Sequence, residues 1–204
     1  MNHFRKASIY LVSTVIISFF IFSKTDLELT KSNIYIEKKI IIQPIGHFDN
    51  SLLLQTKSQI EKHLPKVVVM PEIAFSKKTN SKIKDRQIAD SVIRELGIRA
   101  GMNEIYVGIT ETDICTNKNG NPNYGIIGLG FRPGNANICS TKRIRNRSLF
   151  YKIVLHEIGH NYGLNHCNVD SCYMHDAMGK DPTPIITGFC PSCKQYLMDR
   201  GWKF

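Results

Sequence analysis

The chain has no internal repeat and no strongly low-complexity segment, so a solenoid or an array of small modules is excluded as its organising scheme. Acidic residues are scarce: 17 Asp and Glu stand against 27 Lys and Arg, for a formal charge of +10. That balance favours anionic partners, whether nucleic acid, acidic peptides or an anionic membrane surface. The basic residues are mostly scattered, however, with one tight cluster at Lys142, Arg143, Arg145 and Arg147. No nucleic-acid module accompanies the cluster and no aromatic residues interleave with it. A nucleic-acid partner is therefore not expected, and the cluster reads as a solvated loop. Long apolar runs are also nearly missing. The longest uncharged one, Ala7 to Phe22, follows His3, Arg5 and Lys6. As a helix it would reach about 24 Å, short of the roughly 30 Å hydrocarbon core of a bilayer. No small-x-small cleavage site is evident, since Ile21 and Ser23 frame the sole candidate, and no cysteine follows to accept a lipid. A charged start and an apolar middle still make the layout of an export signal. Residues 1–23 are expected to be a signal peptide or an amino-terminal membrane anchor, with membrane association through residues 7–22. The basic flank predicts that the remainder lies outside the cytoplasm, secreted or tethered.

What is present suits one globular domain. The chain has 204 residues, 42% hydrophobic and 22% charged, enough for a single core. After a mixed polar linker over 24–37, the catalogue of elements begins with a short apolar strand, Lys39 to Gln43, bounded by Pro44. Asn50 reads as the cap of a helix that ends before Pro65. Val67 to Met70 is a second strand, Ser76 to Lys84 a loop, and an amphipathic helix runs from Asp85 through Ile88, Val92, Ile93 and Leu96. Glu104 to Thr110 is a third strand. The Asn- and Gly-rich segment Asp113 to Thr141 predicts a tight turn at Asn117 to Gly120 and two strand-like pieces, Gly125 to Phe131 and Ala136 to Thr141. This order predicts a mixed sheet carrying helices, an α/β (α+β) arrangement rather than a bundle or barrel.

The chemistry concentrates in His156 to His166, HEIGHNYGLNH. Residues four apart on a helix lie about 40° apart on one face, so His156 and His160 can present imidazole nitrogens to one cation. Glu157 lies beside them, near enough for a metal-bound water but rotated away from ligation. Gly163 can end the helix in a left-handed turn and swing His166 back as a third ligand. Three protein ligands and an open position describe a catalytic zinc site. The preceding run Leu149 to Leu155 is apolar, and Val154 and Ile158 point opposite the histidines, so the back of this helix is built for burial.

Six cysteines are present, at 115, 139, 167, 172, 190 and 193. Cys167 with Cys172, and Cys190 with Cys193, form two pairs at the spacing a closed four-thiolate zinc site uses. The intervening segment has little core of its own, so a metal would hold it together. Disulfides are the competing reading, which export would favour. Cys115 and Cys139 have no metal-like spacing and read as buried small hydrophobes or a disulfide.

Taken together, His156 to His166, Cys167, Cys172, Met174, Cys190 and Cys193 resemble the archaemetzincins, a branch of the metzincin zinc peptidases. The resemblance spans roughly residues 148 to 193. It implies a metzincin-like mixed twisted sheet with a long HExxH helix over 38–204, and a small Cys-rich zinc-bound subdomain at about 164–204. It implies His156, His160 and His166 as catalytic zinc ligands, Glu157 as general base, and Cys167, Cys172, Cys190 and Cys193 as ligands of a structural zinc. Met174 matches the methionine whose turn lies beneath the metal; Met178 is a weaker match. The segment between Met174 and Cys190 is shorter than the family's, and the hydrophobic amino terminus departs from its soluble character. The expectation is a zinc-dependent peptidase acting on peptide or protein substrates. Gly125 to Phe131 or Ala136 to Thr141 would be the edge strand that pairs with substrate. The alternative is a non-catalytic zinc-binding module, exported or membrane-tethered; a nucleic-acid-binding zinc ribbon built on the cysteines is a third.

Overall fold

Consecutive isoleucines at 40, 41 and 42 make the middle of strand β1 (Lys39–Pro44), where every residue after Lys39 is buried. A computed structural model describes residues 37–82, 85–176 and 178–204. The expected signal or anchor, residues 1–23, lies outside them, as does nearly all of the expected linker. Among the described residues no helix is long and apolar enough to cross a membrane.

Strand β1 pairs in parallel with β2 (Val67–Val69) on one side and β4 (Glu104–Thr110) on the other. Strand β4 pairs in parallel with β8 (Ala136–Ser140), and β7 (Gly128–Gly130) closes the row antiparallel to β8. The five-stranded order is β2-β1-β4-β8-β7. Helices cover both faces, which is why β1 and β4 read as unbroken apolar runs rather than alternating ones. On one face α1 (Asn50–Glu61) and α3 (Phe150–Asn161) bury Leu52, Leu53, Phe150, Val154 and Ile158 against Ile40, Ile42, Ile105 and Val107. On the other, α2 (Ala89–Arg99) buries Val92, Ile93 and Leu96 against Ala136 and Ile138. The expected mixed α/β fold is present. A fourth helix, α4 (Pro191–Met198), begins with the proline between the last two cysteines. Its Leu197, with Phe189 and Trp202, packs into the same core as α3.

Three local expectations are corrected. The first concerns the starts of α1 and α2. The cap of α1 is Asp49, whose carboxylate accepts from the Leu52 amide at 2.7 Å, and Asn50 is already helical. Helix α2 starts at Ala89 rather than Asp85 because Arg86–Ile88 is claimed by a second sheet as strand β3. There it pairs in parallel with β5 (Asp113–Lys118), and the Arg86 guanidinium binds the Asp113 carboxylate at 2.8 Å.

The second is the Asn- and Gly-rich segment, where the expected tight turn is present but the strands fall differently. It is a hairpin, β5 and β6 (Asn121–Ile126), closed by Asn119 and Gly120, both at positive φ (52° and 80°). Two left-handed central residues make the tight turn that matches strand twist. The piece Gly125 to Phe131 is therefore divided between two sheets. Strand β8 is flanked on both sides, so it has no free edge, and only β7 within the two nominated pieces borders solvent along the main sheet.

The third is the basic cluster, which is not simply solvated. Arg143 forms a two-point ion pair with Asp113, and Arg147 pairs with Glu111.

Candidate metal centre

Helix α3 is held from behind and ended in a defined way. Phe150, Val154 and Ile158 are fully buried. Lys152, also buried, donates from Nζ to the carbonyls of Thr183 and Ile186 at 2.7 Å each, fastening the loop that follows the metal site. At the carboxy end Gly163 adopts φ +100°, the Gly163 amide donates to the His160 carbonyl at 2.8 Å, and the Leu164 amide to the Gly159 carbonyl at 3.0 Å. This pair of bonds around a left-handed glycine is the Schellman stop. It reverses the chain as the spacing predicted and delivers His166 to the other two histidines.

The ring nitrogens of His156, His160 and His166 lie within 4.8 Å of one another. His156 Nδ1 sits 2.6 Å from the Tyr173 carbonyl and His160 Nδ1 2.7 Å from the Leu164 carbonyl. A carbonyl only accepts, so each Nδ1 carries the proton and each Nε2 lone pair is left for a metal. His160 Nε2 and His166 Nε2 are 3.3 Å apart. Two nitrogens about 2.05 Å from one tetrahedral zinc stand about 3.3 Å apart, so this donor set fits the ion. Burial, reinforced by the neighbouring imidazoles, pushes His156 down to about 3 and His160 down to about 4, so both rings are neutral at physiological pH. His166 is more exposed. Its Nδ1 faces Asp176 at 3.6 Å, beyond hydrogen-bond range but within reach of charge attraction.

Glu157 turns to the edge strand. A Cβ on Gly128 would lie 2.4 Å from Glu157 Oε1, and one on Gly130 3.2 Å from Oε2, so only glycines let β7 come this close. Burial pushes the Glu157 carboxyl up to about 8, the position of a group ready to hold a proton near neutral pH. Helix and strand are joined at this level by Asn161. Its side-chain amide donates to the Phe131 and Ala136 carbonyls at 2.9 Å each and accepts from Asn137 at 2.7 Å.

The second cluster sits one peptide bond away. The sulfurs of Cys167, Cys172, Cys190 and Cys193 lie within 4.8 Å of one another, all as free thiols. Cys167 and Cys190 sulfurs are 3.7 Å apart. Two thiolates about 2.3 Å from one zinc are about 3.8 Å apart, against about 2.05 Å for a disulfide, so the geometry fits a metal. Backbone amides converge on the sulfurs, Cys190 N and Met174 N reaching Cys172 Sγ at 3.3 and 3.4 Å. Such donors favour the thiolate form. Cys115 and Cys139 are separately buried free thiols, bonded to the Gln87 carbonyl and the Asn137 side chain.

Met174 is fully buried, and a Cβ on Gly159 would meet its sulfur at 2.6 Å. It thus packs directly under the helix turn between the two histidines, whereas Met178 is 76% exposed. Every metal and catalytic residue nominated from the sequence is brought to one of the two clusters. Residues the sequence reading passed over are Tyr173 and Leu164, which act through backbone carbonyls, together with Asp176, Asn161 and the paired glycines of β7. Only the Gly128-Leu129-Gly130 pattern carried a signal, two glycines spaced to face one side of a strand.

The model of peptidase family M54 matches residues 34–199. An archaemetzincin of Haloquadratum walsbyi is 34% identical over 119 residues, which cover 50% of this chain and 66% of that protein. One of Natronomonas pharaonis is 32% identical over 131 residues, 56% of this chain and 73% of that protein. Among solved structures, archaemetzincin from Methanopyrus kandleri superposes with a TM-score of 0.63 at 19% identity, over 80% of this chain and 96% of its own. The archaemetzincin of Archaeoglobus fulgidus gives 0.62 at 21% identity, over 78% and 99%. At these identities the superpositions bear on the fold.

Proposed function

The chain belongs to peptidase family M54, the archaemetzincin-like zinc metallopeptidases, and from that membership we propose that it hydrolyses peptide bonds with Glu157 as general base. The observation that carries this reading is the convergence of three neutral imidazoles beside a buried carboxyl in an open cleft. His156, His160 and His166 would hold the catalytic zinc, and Cys167, Cys172, Cys190 and Cys193 a second, structural one. Zinc bound by the histidines supplies a Lewis acid that lowers the pKa of a water and polarises the substrate carbonyl. Glu157 accepts the proton of the attacking water and passes it to the leaving amine. Its position against β7 supports this, because a substrate paired along that edge strand brings its carbonyl alongside the carboxyl. Tyr173 and Leu164 keep two ligand rings in the right tautomer. A non-catalytic zinc module would have no use for Glu157, whose burial costs free energy.

The amino-terminal run Ala7 to Phe22 supports export or anchoring of this catalytic domain, residues 38–204, outside the cytoplasm. Fractionation of expressing cells, with protease protection, tests that placement. The activity itself is tested by incubating the purified domain with a diverse peptide library, with and without a zinc chelator. Mass spectrometry should show chelator-sensitive cuts; a library left intact in both arms rules the reading out.

A further inference from the structure

In front of the histidines lies a cleft of about 440 Å³. Its lining includes four cations, Lys118, Arg132, Arg143 and Lys180, against two carboxylates, Glu157 and Asp176. Both carboxylates are already engaged. Glu157 is buried against β7, while Asp176 accepts from the Met178 amide at 2.9 Å and faces His166 Nδ1 at 3.6 Å. The remaining positive charge is therefore left facing the cleft.

Two of the cations flank the segment that carries the edge strand. Arg143 lies flat across Gly125, where a Cβ would come within 2.0 Å of Nη2 and 2.8 Å of Nη1. It is held there by Asp113, which accepts from Arg143 Nε and Nη2 at 2.8 Å each. Asp113 also pairs with Arg86, so one carboxylate serves two guanidiniums and a net positive charge remains. Arg143 Nη1 has no hydrogen-bond partner among the described residues. At the other end, Arg132 follows Gly130 by two residues and makes no ion pair or hydrogen bond among the described residues. It lines the same cleft as His160 and His166. Gly128, against Glu157, falls along the chain between Gly125, which Arg143 covers, and Arg132.

An extended peptide rises about 3.3 Å per residue. A substrate with its reacting carbonyl beside Glu157 at Gly128 runs towards Gly125 and Arg143, three residues away along this segment, at one end and towards Arg132, four residues away, at the other. A guanidinium is a planar fork that matches a carboxylate at two points. Arg143, already fixed by Asp113, loses little rotamer freedom on binding. The formal charge of +10 adds long-range attraction for acidic chains. We propose that this cleft selects peptides carrying carboxylates on both sides of the scissile bond, with Arg143 and Arg132 as the specificity-determining residues. The proposal rests on the peptidase reading above.

The test uses three peptides with the same central sequence and Glu, Gln or Lys at the flanking positions. Their binding to the zinc-loaded Glu157→Gln protein is followed by fluorescence anisotropy, and kcat/KM is measured with the unsubstituted enzyme. The Glu peptide should bind about tenfold more tightly than the Lys peptide, with the Gln peptide between them. High salt should compress that gap, and Arg132→Glu should narrow or invert it. Equal affinities and equal kcat/KM for all three peptides overturn the proposal. So does tighter binding of a single-stranded oligonucleotide of the same charge. Cleavage of all three at one rate keeps the peptidase reading and discards the selectivity. Charge-ordered binding without cleavage of any peptide keeps the selectivity and discards the peptidase reading.

Discussion

The two ligand clusters meet at the peptide bond between His166 and Cys167, yet they are built oppositely. All three histidines line the cleft, and none of the four cysteines does. The histidines offer three ligand atoms and the cysteines four. A tetrahedral ion at the first keeps a position for water or substrate, whereas at the second it is closed. The surroundings differ in kind as well. Two of the imidazoles, His156 and His160, are fixed by carbonyls that accept from Nδ1, whereas the Cys172 sulfur is fixed by amides that donate to it. One cluster is arranged around what enters, the other around what it ties together. Cys172 and Cys193, in the main core beside Leu197 and Trp202, join the carboxy-terminal segment to α3.

The largest expected effect breaks the open site without touching its metal. Glu157→Gln keeps the shape of the side chain and removes the base. Peptide cleavage should fall by about a thousandfold, within the usual range for loss of a general base, while zinc content by atomic emission stays that of the parent. Cleavage at the parental rate would sink the assignment of Glu157. The closed site should fail in the opposite way. Cys193→Ser should lower the unfolding midpoint by about 10 °C, the equivalent of about 3 kcal/mol in a domain of this size. It should also release the tightly held zinc to a chelator. A calorimetric midpoint within a degree or two of the parent would mean that no structural metal sits there.

Gly128→Ala tests whether β7 and Glu157 work as a pair. The added methyl would overlap Oε1 at 2.4 Å and Cγ at 2.8 Å, so the carboxyl must move. A loss of about thirtyfold in kcat with zinc retained is expected, since about 1 Å of misplacement costs on the order of a hundredfold. Normal kcat would show that the carboxyl works from another position.

How far this contrast was legible in the sequence depends on what each residue contributes. Side-chain ligands announce themselves, because only His and Cys at helix-turn and knuckle spacings do this chemistry. So did Gly163, whose left-handed turn follows from the lack of a Cβ. Contributions made through the backbone carry no such mark: any residue at 164 or 173 offers the same carbonyl. In the hairpin β5–β6 the turn is legible but the strands beside it are not, because their exposed faces are polar and their cross-strand neighbours are set by the turn rather than by apolar alternation. Helix α2 starts later than its apolar pattern suggests because Ile88, which suits the helix pattern, lies in β3 and pairs with Cys115 of β5. Arg143 looked solvated until Asp113, thirty residues away in sequence, was brought beside it.

A difference in proton uptake should separate the clusters further. Burial holds His156 and His160 at about 3 and 4 in the metal-free protein, below the ordinary imidazole value of 6.5. Their folded values are depressed, so between about pH 6.5 and pH 4 the unfolded chain binds the protons and the folded site stays neutral. Zinc loading there at pH 6.5 should release well under one proton, and the two buried rings should keep their lone pairs free for zinc until the pH approaches 4. The thiols of Cys172 and Cys193 are pushed up by burial, so zinc must displace their protons. Loading the cysteine cluster should release at least two, and its affinity should rise with pH across neutrality. Calorimetry in buffers of different ionisation enthalpy counts these protons. Equal release from the two sites would erase the distinction.

The smallest expected effect asks whether the two clusters are independent at all. Of the three histidines, His166 has the weakest anchorage: its ring is half exposed, and its Nδ1 faces only Asp176, at 3.6 Å, where the other two each have a backbone carbonyl. Its backbone, by contrast, leads straight into Cys167. That residue is fixed twice, by its amide donating to the Met174 carbonyl at 2.8 Å and by its sulfur 3.7 Å from Cys190. The cysteine cluster is thus the clamp that His166 lacks in its own side chain. Cys167→Ser keeps the amide bond but weakens the clamp, and the catalytic zinc should bind about tenfold less tightly, as when a ligand loses outer support. Cys190→Ser, which leaves the residue beside His166 unchanged, should cost the catalytic site less. If competition with a zinc indicator gives the parental affinity for the histidine site in Cys167→Ser, the closed cluster stabilises the fold alone and His166 owes its position to the turn at Gly163.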